Sequence, residues 1–175
     1  MKVVLLFLMF MGVVYADRDG GPYVGVGYGV SQYNSDGLYE NLKRDTSNST
    51  TIYAGAYINK YFSVELGQVN FTSWEVDDSS SVSYSALSVS TLVHYAFFDD
   101  ILDFYAKFGV GQIDASGIDS GGFTFVYGGG VGVRFNEWFS MKVAYDRYAF
   151  EYQDAISGNY NMNIDNLYSA LEFQF

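Results

Sequence analysis

The one histidine, His94, closes the run Ser88-Val89-Ser90-Thr91-Leu92-Val93-His94. In an extended chain its even spacing from Ser90 and Ser88 puts the three side chains on one face. An imidazole beside hydroxyls is equipment for nucleophilic or general-base catalysis, provided the groups stand within hydrogen-bond reach. The competing reading is a structural histidine satisfied by its neighbouring hydroxyls, and we expect that one and no enzyme. Cysteine is absent, which excludes thiolate metal sites, cysteine nucleophiles and disulfides. The densest set of oxygen ligands is Glu75, Asp77 and Asp78, followed by Ser79, Ser80 and Ser81. These suit weak Mg²⁺ or Ca²⁺ binding but lack the spacing of a calcium loop. No cofactor is expected.

The chain carries 9 basic and 20 acidic residues, a formal charge of −11, and such a chain repels a nucleic-acid backbone. Residues 1–16, MKVVLLFLMFMGVVYA, combine one lysine, an apolar run and small residues before a cut. That pattern is an export signal, cleaved before folding. Residues 17–21 then form a short lead, and residues 22–175 form one domain. No later stretch is apolar over the roughly 20 residues a spanning helix needs.

The domain alternates instead, with period two and no comparable helical period. Eight strands are expected, over 23–33, 50–58, 62–73, 84–96, 103–113, 123–135, 139–152 and 164–175. Their apolar faces include Val24, Val26 and Tyr28 in the first, and Leu167, Leu171 and Phe173 in the last. In the third strand the phase slips near Gln68, where Val69 and Phe71 become the apolar members, so a bulge is expected at Gly67. Connections near 59–61, 97–102 and 136–138 are short. Those over 34–49, 74–83, 114–122 and 153–163 are longer and polar, and the two kinds alternate.

Strands of this length with alternating tight turns and long loops fit an all-β, eight-stranded antiparallel up-and-down transmembrane β-barrel. A soluble secreted barrel or sandwich also alternates. Against it stand the glycine-rich polar face, which is a poor core, and the aromatic residues near strand ends, which suit lipid headgroups.

By parity the bore receives Glu65, Lys107, Arg134, Lys142, Asp146 and Glu172, three of each sign. Buried charges need partners, so these six read as a salt-bridge plug in a bore only just wide enough for side chains. The alternative is a narrow ion path, giving a small porin-like channel. The acidic residues Asp36, Glu40, Asp45, Asp114, Asp119 and Asp154 join Glu75, Asp77 and Asp78 in the long connections. They give the barrel an acidic outer rim, and the function expected is structural or surface interaction, in adhesion or envelope integrity.

Several segments resemble the transmembrane domain of outer membrane protein A and the outer membrane protein X type of barrel. They are Gly25-Val26-Gly27-Tyr28-Gly29-Val30-Ser31-Gln32-Tyr33, Ala54-Gly55-Ala56-Tyr57 with Asn59-Lys60-Tyr61, Val64-Glu65-Leu66-Gly67, Asp99-Asp100 with Asp103-Phe104-Tyr105, and Gly128-Gly129-Gly130-Val131. The resemblance implies a monomer in the bacterial outer membrane, in contact with its lipid and lipopolysaccharide. It also implies that Phe175, with Phe173 and Leu171, is presented to the outer-membrane assembly machinery. Two departures are Gln174, where that family often has a basic residue, and the lack of a peptidoglycan-binding domain after the barrel. Some outer-membrane barrels are lipid A deacylases or palmitoyltransferases that use a histidine with a serine and an acid. That makes a lipid-modifying enzyme the third reading.

Overall fold

The computed structural model describes residues 20–35, 46–77, 80–116, 121–154 and 158–175. Within them the chain forms eight strands: β1 (Gly21–Ser35), β2 (Thr46–Asn59), β3 (Phe62–Asp77), β4 (Ser80–Phe97), β5 (Leu102–Ser116), β6 (Gly121–Arg134), β7 (Phe139–Asp154) and β8 (Gly158–Gln174). Each pairs antiparallel with its sequence neighbours, and β8 pairs with β1 to close the barrel. No edge is left open, as a lipid environment requires. The expected signal and lead, residues 1–16 and 17–21, fall outside the described residues apart from Gly20 and Gly21.

The register fixes the shape. A path through paired residues from Gly25 runs to Tyr53, Gly67, Ser88, Gly111, Thr124, Phe150 and Met162, and returns to β1 at Ser35, ten residues on. A stagger of that size on eight strands tilts them steeply against the barrel axis and leaves an interior that side chains fill.

The exterior is apolar where a soluble protein would be polar. Val26, Ile52, Leu66, Val89, Phe108, Val143 and Leu171 all face outward and are exposed. Aromatic residues crowd the exterior at the short-turn end, among them Tyr95, Phe97, Phe104, Phe135, Trp138, Phe139 and Phe173. Phe97 packs edge-on to Phe104 and Phe139 lies against Phe173. Tyr28, Tyr127 and Phe123 stand farther toward the opposite end. This is the belted exterior of a transmembrane barrel.

Two of those turns use the same device. The Asn59 Oδ1 accepts from the amides of Tyr61 (2.8 Å) and Phe62 (3.0 Å), and the Asn136 Oδ1 accepts from Trp138 and Phe139 (2.9 Å each). Asparagine side chains imitate a backbone turn in this way. The third turn is different: Phe98, Asp99 and Asp100 take positive φ of 54°, 54° and 65°.

Three sequence expectations need correction. No bulge lies at Gly67: β3 pairs without interruption with β2 from Ser49↔Phe71 to Tyr57↔Ser63, and irregularities fall at Tyr57/Asn59, Phe71/Trp74 and Glu75/Asp77. Val69 and Phe71 simply point inward, because the inner face changes from polar to apolar toward the long-connection end. Lastly, the strands run well past the expected boundaries. The long connections shrink to 36–45, 78–79, 117–120 and 155–157, so the one between β3 and β4 is short.

Candidate functional site

The inward face forms two layers. The layer nearer the short turns is polar and aromatic. Lys107 on β5 sits between two carboxylates, its Nζ 2.9 Å from Glu65 Oε1 on β3 and 2.9 Å from Asp146 Oδ2 on β7. Tyr168 on β8 also donates to Asp146 Oδ2 at 3.1 Å. Lys142 pairs with Glu172 Oε2, and its ammonium lies 5.1–5.3 Å from the ring centroids of Tyr23, Tyr53 and Tyr105. The three ring faces and one carboxylate replace the water that this cation gave up. Glu172 Oε1 in turn accepts from Ser140 (3.4 Å) and Tyr57 (3.5 Å). Arg134 donates to the Gln174 Oε1 at 2.5 Å.

All six charges expected in the bore thus face inward. The pairing differs from a balanced set of three. Two carboxylates share Lys107, Lys142 has one, and Arg134 meets the neutral side-chain amide of Gln174.

His94 is buried in the same layer, but its partners are not Ser88 and Ser90. Its Nε2 lies 2.8 Å from Ser63 Oγ on β3, and its Nδ1 2.8 Å from Asp103 Oδ2 on β5. The hydroxyl comes from the neighbouring strand and the second partner is an acid. Parity would have flagged Asp103, which alternates with outward Phe104 and shares a face with Tyr105 and Lys107. Ser63 follows from the tight hairpin at Asn59, which sets it two residues from Glu65 on the inner face. The inner tyrosines Tyr23, Tyr53, Tyr57, Tyr105 and Tyr168 carry no sequence motif beyond alternation.

Above this layer lies an apolar one. Tyr33, Val69, Phe71, Tyr84, Ile113, Val126, Phe150, Met162 and Ile164 pack across the bore toward the long-connection end. Phe71 meets Tyr148 edge-on at 5.5 Å, and Tyr33 stacks on Tyr84 at 6.0 Å.

The remaining sequence candidates lie elsewhere. Leu171, Phe173 and Phe175 face outward, on β8 and just after it. Glu75 and Asp77 fall on β3 rather than in a loop, and Asp78 lies outside the described residues. Among the described residues no group of three or more acidic or histidine side chains could hold a metal ion.

A closed antiparallel barrel with an apolar, aromatic-belted exterior and a charged interior is an integral outer-membrane protein. The chain belongs to the outer membrane protein beta-barrel domain family, which matches residues 3–175. Its fold is that of several solved barrels. Neisserial surface protein A (NspA) superposes with a TM-score of 0.69 at 15% identity, over 89% of this chain and 97% of that one. OprG from Pseudomonas aeruginosa gives 0.56 at 12%, over 93% and 99%. Ail, the attachment invasion locus protein of Yersinia pestis, gives 0.53 at 14%, over 89% and 99%. No curated protein matches the chain in sequence. The protein resides in the bacterial outer membrane.

Proposed function

We propose that this barrel is a non-conducting structural protein of the envelope that acts on its surroundings through its long connections, without catalysis. One observation carries the reading: the bore is occupied twice in series, by Lys107 between Glu65 and Asp146, and by the apolar layer around Phe71 and Ile164. An ion would have to break a desolvated pair and then cross a packed, predominantly apolar layer that offers it no charged partner. Planar-bilayer recording on the refolded protein tests this. A flat baseline is expected, and stable single-channel steps would select the small-channel reading instead.

The acidic residues toward the long-connection end narrow the partner, although Glu75, Asp77, Asp114 and Asp154 fall on strands rather than in the loops expected of them. One structure of Ail is a complex with the heparin analogue sucrose octasulfate, a polyanion. The acidic residues at that end of this chain oppose such a ligand, so a cationic partner fits, or lipopolysaccharide phosphate bridged by Mg²⁺ or Ca²⁺. On that reading Glu75, Asp77 and Asp78 contribute a weak divalent site. Calorimetric titration of Ca²⁺ into wild type and the triple Asn/Gln variant checks it, and equal heats would dismiss the site. By the same family logic Leu171, Phe173 and Phe175 form the signal for the assembly machinery. Phe175→Ala should lower the folded fraction in the outer membrane and leave export intact.

A further inference from the structure

His94 belongs to a longer chain of contacts than its two immediate partners. Asp103 Oδ2 and His94 Nδ1 are 2.8 Å apart, His94 Nε2 and Ser63 Oγ 2.8 Å, Ser63 Oγ and Tyr23 Oη 3.2 Å, and Tyr23 Oη and Glu65 Oε2 3.4 Å. The chain crosses from β5 through β4, β3 and β1 and returns to β3. Glu65 leads on through Lys107 to Asp146.

Counting hydrogens along it gives a mismatch. Four contacts separate two terminal carboxylates, which accept only. A neutral imidazole supplies one N–H, and Ser63 and Tyr23 supply one O–H each. Three hydrogens serve four contacts, so two lone pairs must face each other at one of them. One additional proton on the ring removes the conflict. Nδ1–H then donates to Asp103, Nε2–H to Ser63, the Ser63 hydroxyl turns to Tyr23, and the Tyr23 hydroxyl donates to Glu65.

We propose that Asp103, His94, Ser63, Tyr23 and Glu65 form a site that takes up one proton from the short-turn side of the barrel. Asp103 is its entrance, 8% exposed, whereas His94, Ser63, Tyr23 and Glu65 are 3% or less. The apolar layer closes the far end, so a proton reaches the mid-barrel from one side only. Uptake forms one N–H bond, at His94 Nε2, with a proton taken from water on the short-turn side, and breaks no bond within the protein. It reverses the Ser63 hydroxyl, which donates to His94 before uptake and to Tyr23 after it.

The other groups around the ring come from every neighbouring wall. Tyr57 on β2 lies 5.1 Å from it, centroid to centroid, and Tyr105 on β5 lies 5.7 Å from it. Lys142 on β7 stands against the rings of Tyr23 and Tyr105, and Glu172 on β8 holds Lys142 and accepts from Tyr57. Lys142 is compensated by Glu172, and Lys107 is shared by Glu65 and Asp146. With Arg134 the layer holds three cations against the four carboxylates of Glu65, Asp103, Asp146 and Glu172, so the proton's charge enters a layer with an excess of carboxylate.

Because His94 is the one histidine, ¹⁵N-imidazole resonances of the folded barrel in micelles report this site alone. Wild type, Tyr23→Phe, Ser63→Ala and, as a control in the apolar layer, Tyr33→Phe would be titrated, with folding confirmed by heat-dependent gel mobility. Tyr23→Phe keeps the ring and removes one oxygen, so it tests the chain without emptying the site. Expected is a fall in the protonation midpoint of about one pH unit, tenfold in proton affinity, for both Tyr23→Phe and Ser63→Ala, and none for Tyr33→Phe. A midpoint in Tyr23→Phe that stays at the wild-type value or rises would overturn the chain and leave His94 bound to Asp103 and Ser63 alone.

Discussion

The ring of Tyr23 occupies the space that a side chain on Gly55 would need: its Cζ lies 2.3 Å from where a Cβ would stand. The two residues are directly paired across β1 and β2, and two positions along, Gly25 and Tyr53 repeat the arrangement, with Tyr53 Cζ at 2.1 Å. Each tyrosine lies flat over a bare stretch of the neighbouring strand, and this lets both fit in a narrow bore around Lys142.

The relationship predicts a steep response to one carbon. Gly55→Ala and Gly25→Ala should each lower stability by about 1–3 kcal/mol through overpacking. Gly67→Ala is the internal contrast, because a Cβ there meets Ser88 Oγ at 3.6 Å and nothing closer. It should be neutral within about 0.5 kcal/mol. Urea unfolding of the three variants in micelles measures this, and equal effects at all three positions would contradict it.

Lys107 compensates two carboxylates at once. Lys107→Met keeps the volume and leaves both anions without their shared cation, a loss of roughly 3–5 kcal/mol for a buried pair. Adding Glu65→Gln and Asp146→Asn to Lys107→Met should recover most of it, since neutral amides need no cation. A triple variant no more stable than the single one would mean that the ion pairs do not set the stability of the lower layer.

How much of this was legible in the sequence depends on which rule governs each feature. The strand count, the apolar exterior and the inward set of Glu65, Lys107, Arg134, Lys142, Asp146 and Glu172 follow from period two, which is a local property. The apparent slip at Gln68 comes from treating the apolar face as always outward. That holds only while the bore is polar, and Val69 and Phe71 are inward and apolar because the upper bore is a packed core. Partner choice was not legible. Whether His94 meets Ser90 or Ser63 depends on the stagger between strands, and two residues on one strand facing the same way stand farther apart than a strand and its neighbour.

The turn between β4 and β5 holds three consecutive non-glycine residues at positive φ. Aspartate tolerates that region better than branched residues do. Asp99→Val should therefore cost about 1 kcal/mol or more, whereas Asp99→Gly should stay within about 0.5 kcal/mol, as the relief of strain offsets a looser unfolded chain. The pair of values in urea unfolding is the check, and a Val variant as stable as wild type would show that the turn is not strained there.

The two layers act as seals in series, and that has a consequence for conductance. Phe71 is 2% exposed and packs on Tyr148 in the apolar layer, while Lys107 closes the polar layer beneath it. Phe71→Ser admits water to the upper bore but leaves the Lys107 pairs intact. Lys107→Ala frees two carboxylates to attract water but leaves the apolar layer dry. Neither variant alone should conduct in a planar bilayer. The double variant should give small steps, and they should be cation-selective, because Glu65 and Asp146 then line the path with no cation between them. Steps from Phe71→Ser alone would mean that the charged layer does not block ions, and steps from Lys107→Ala alone would say the same of the apolar one.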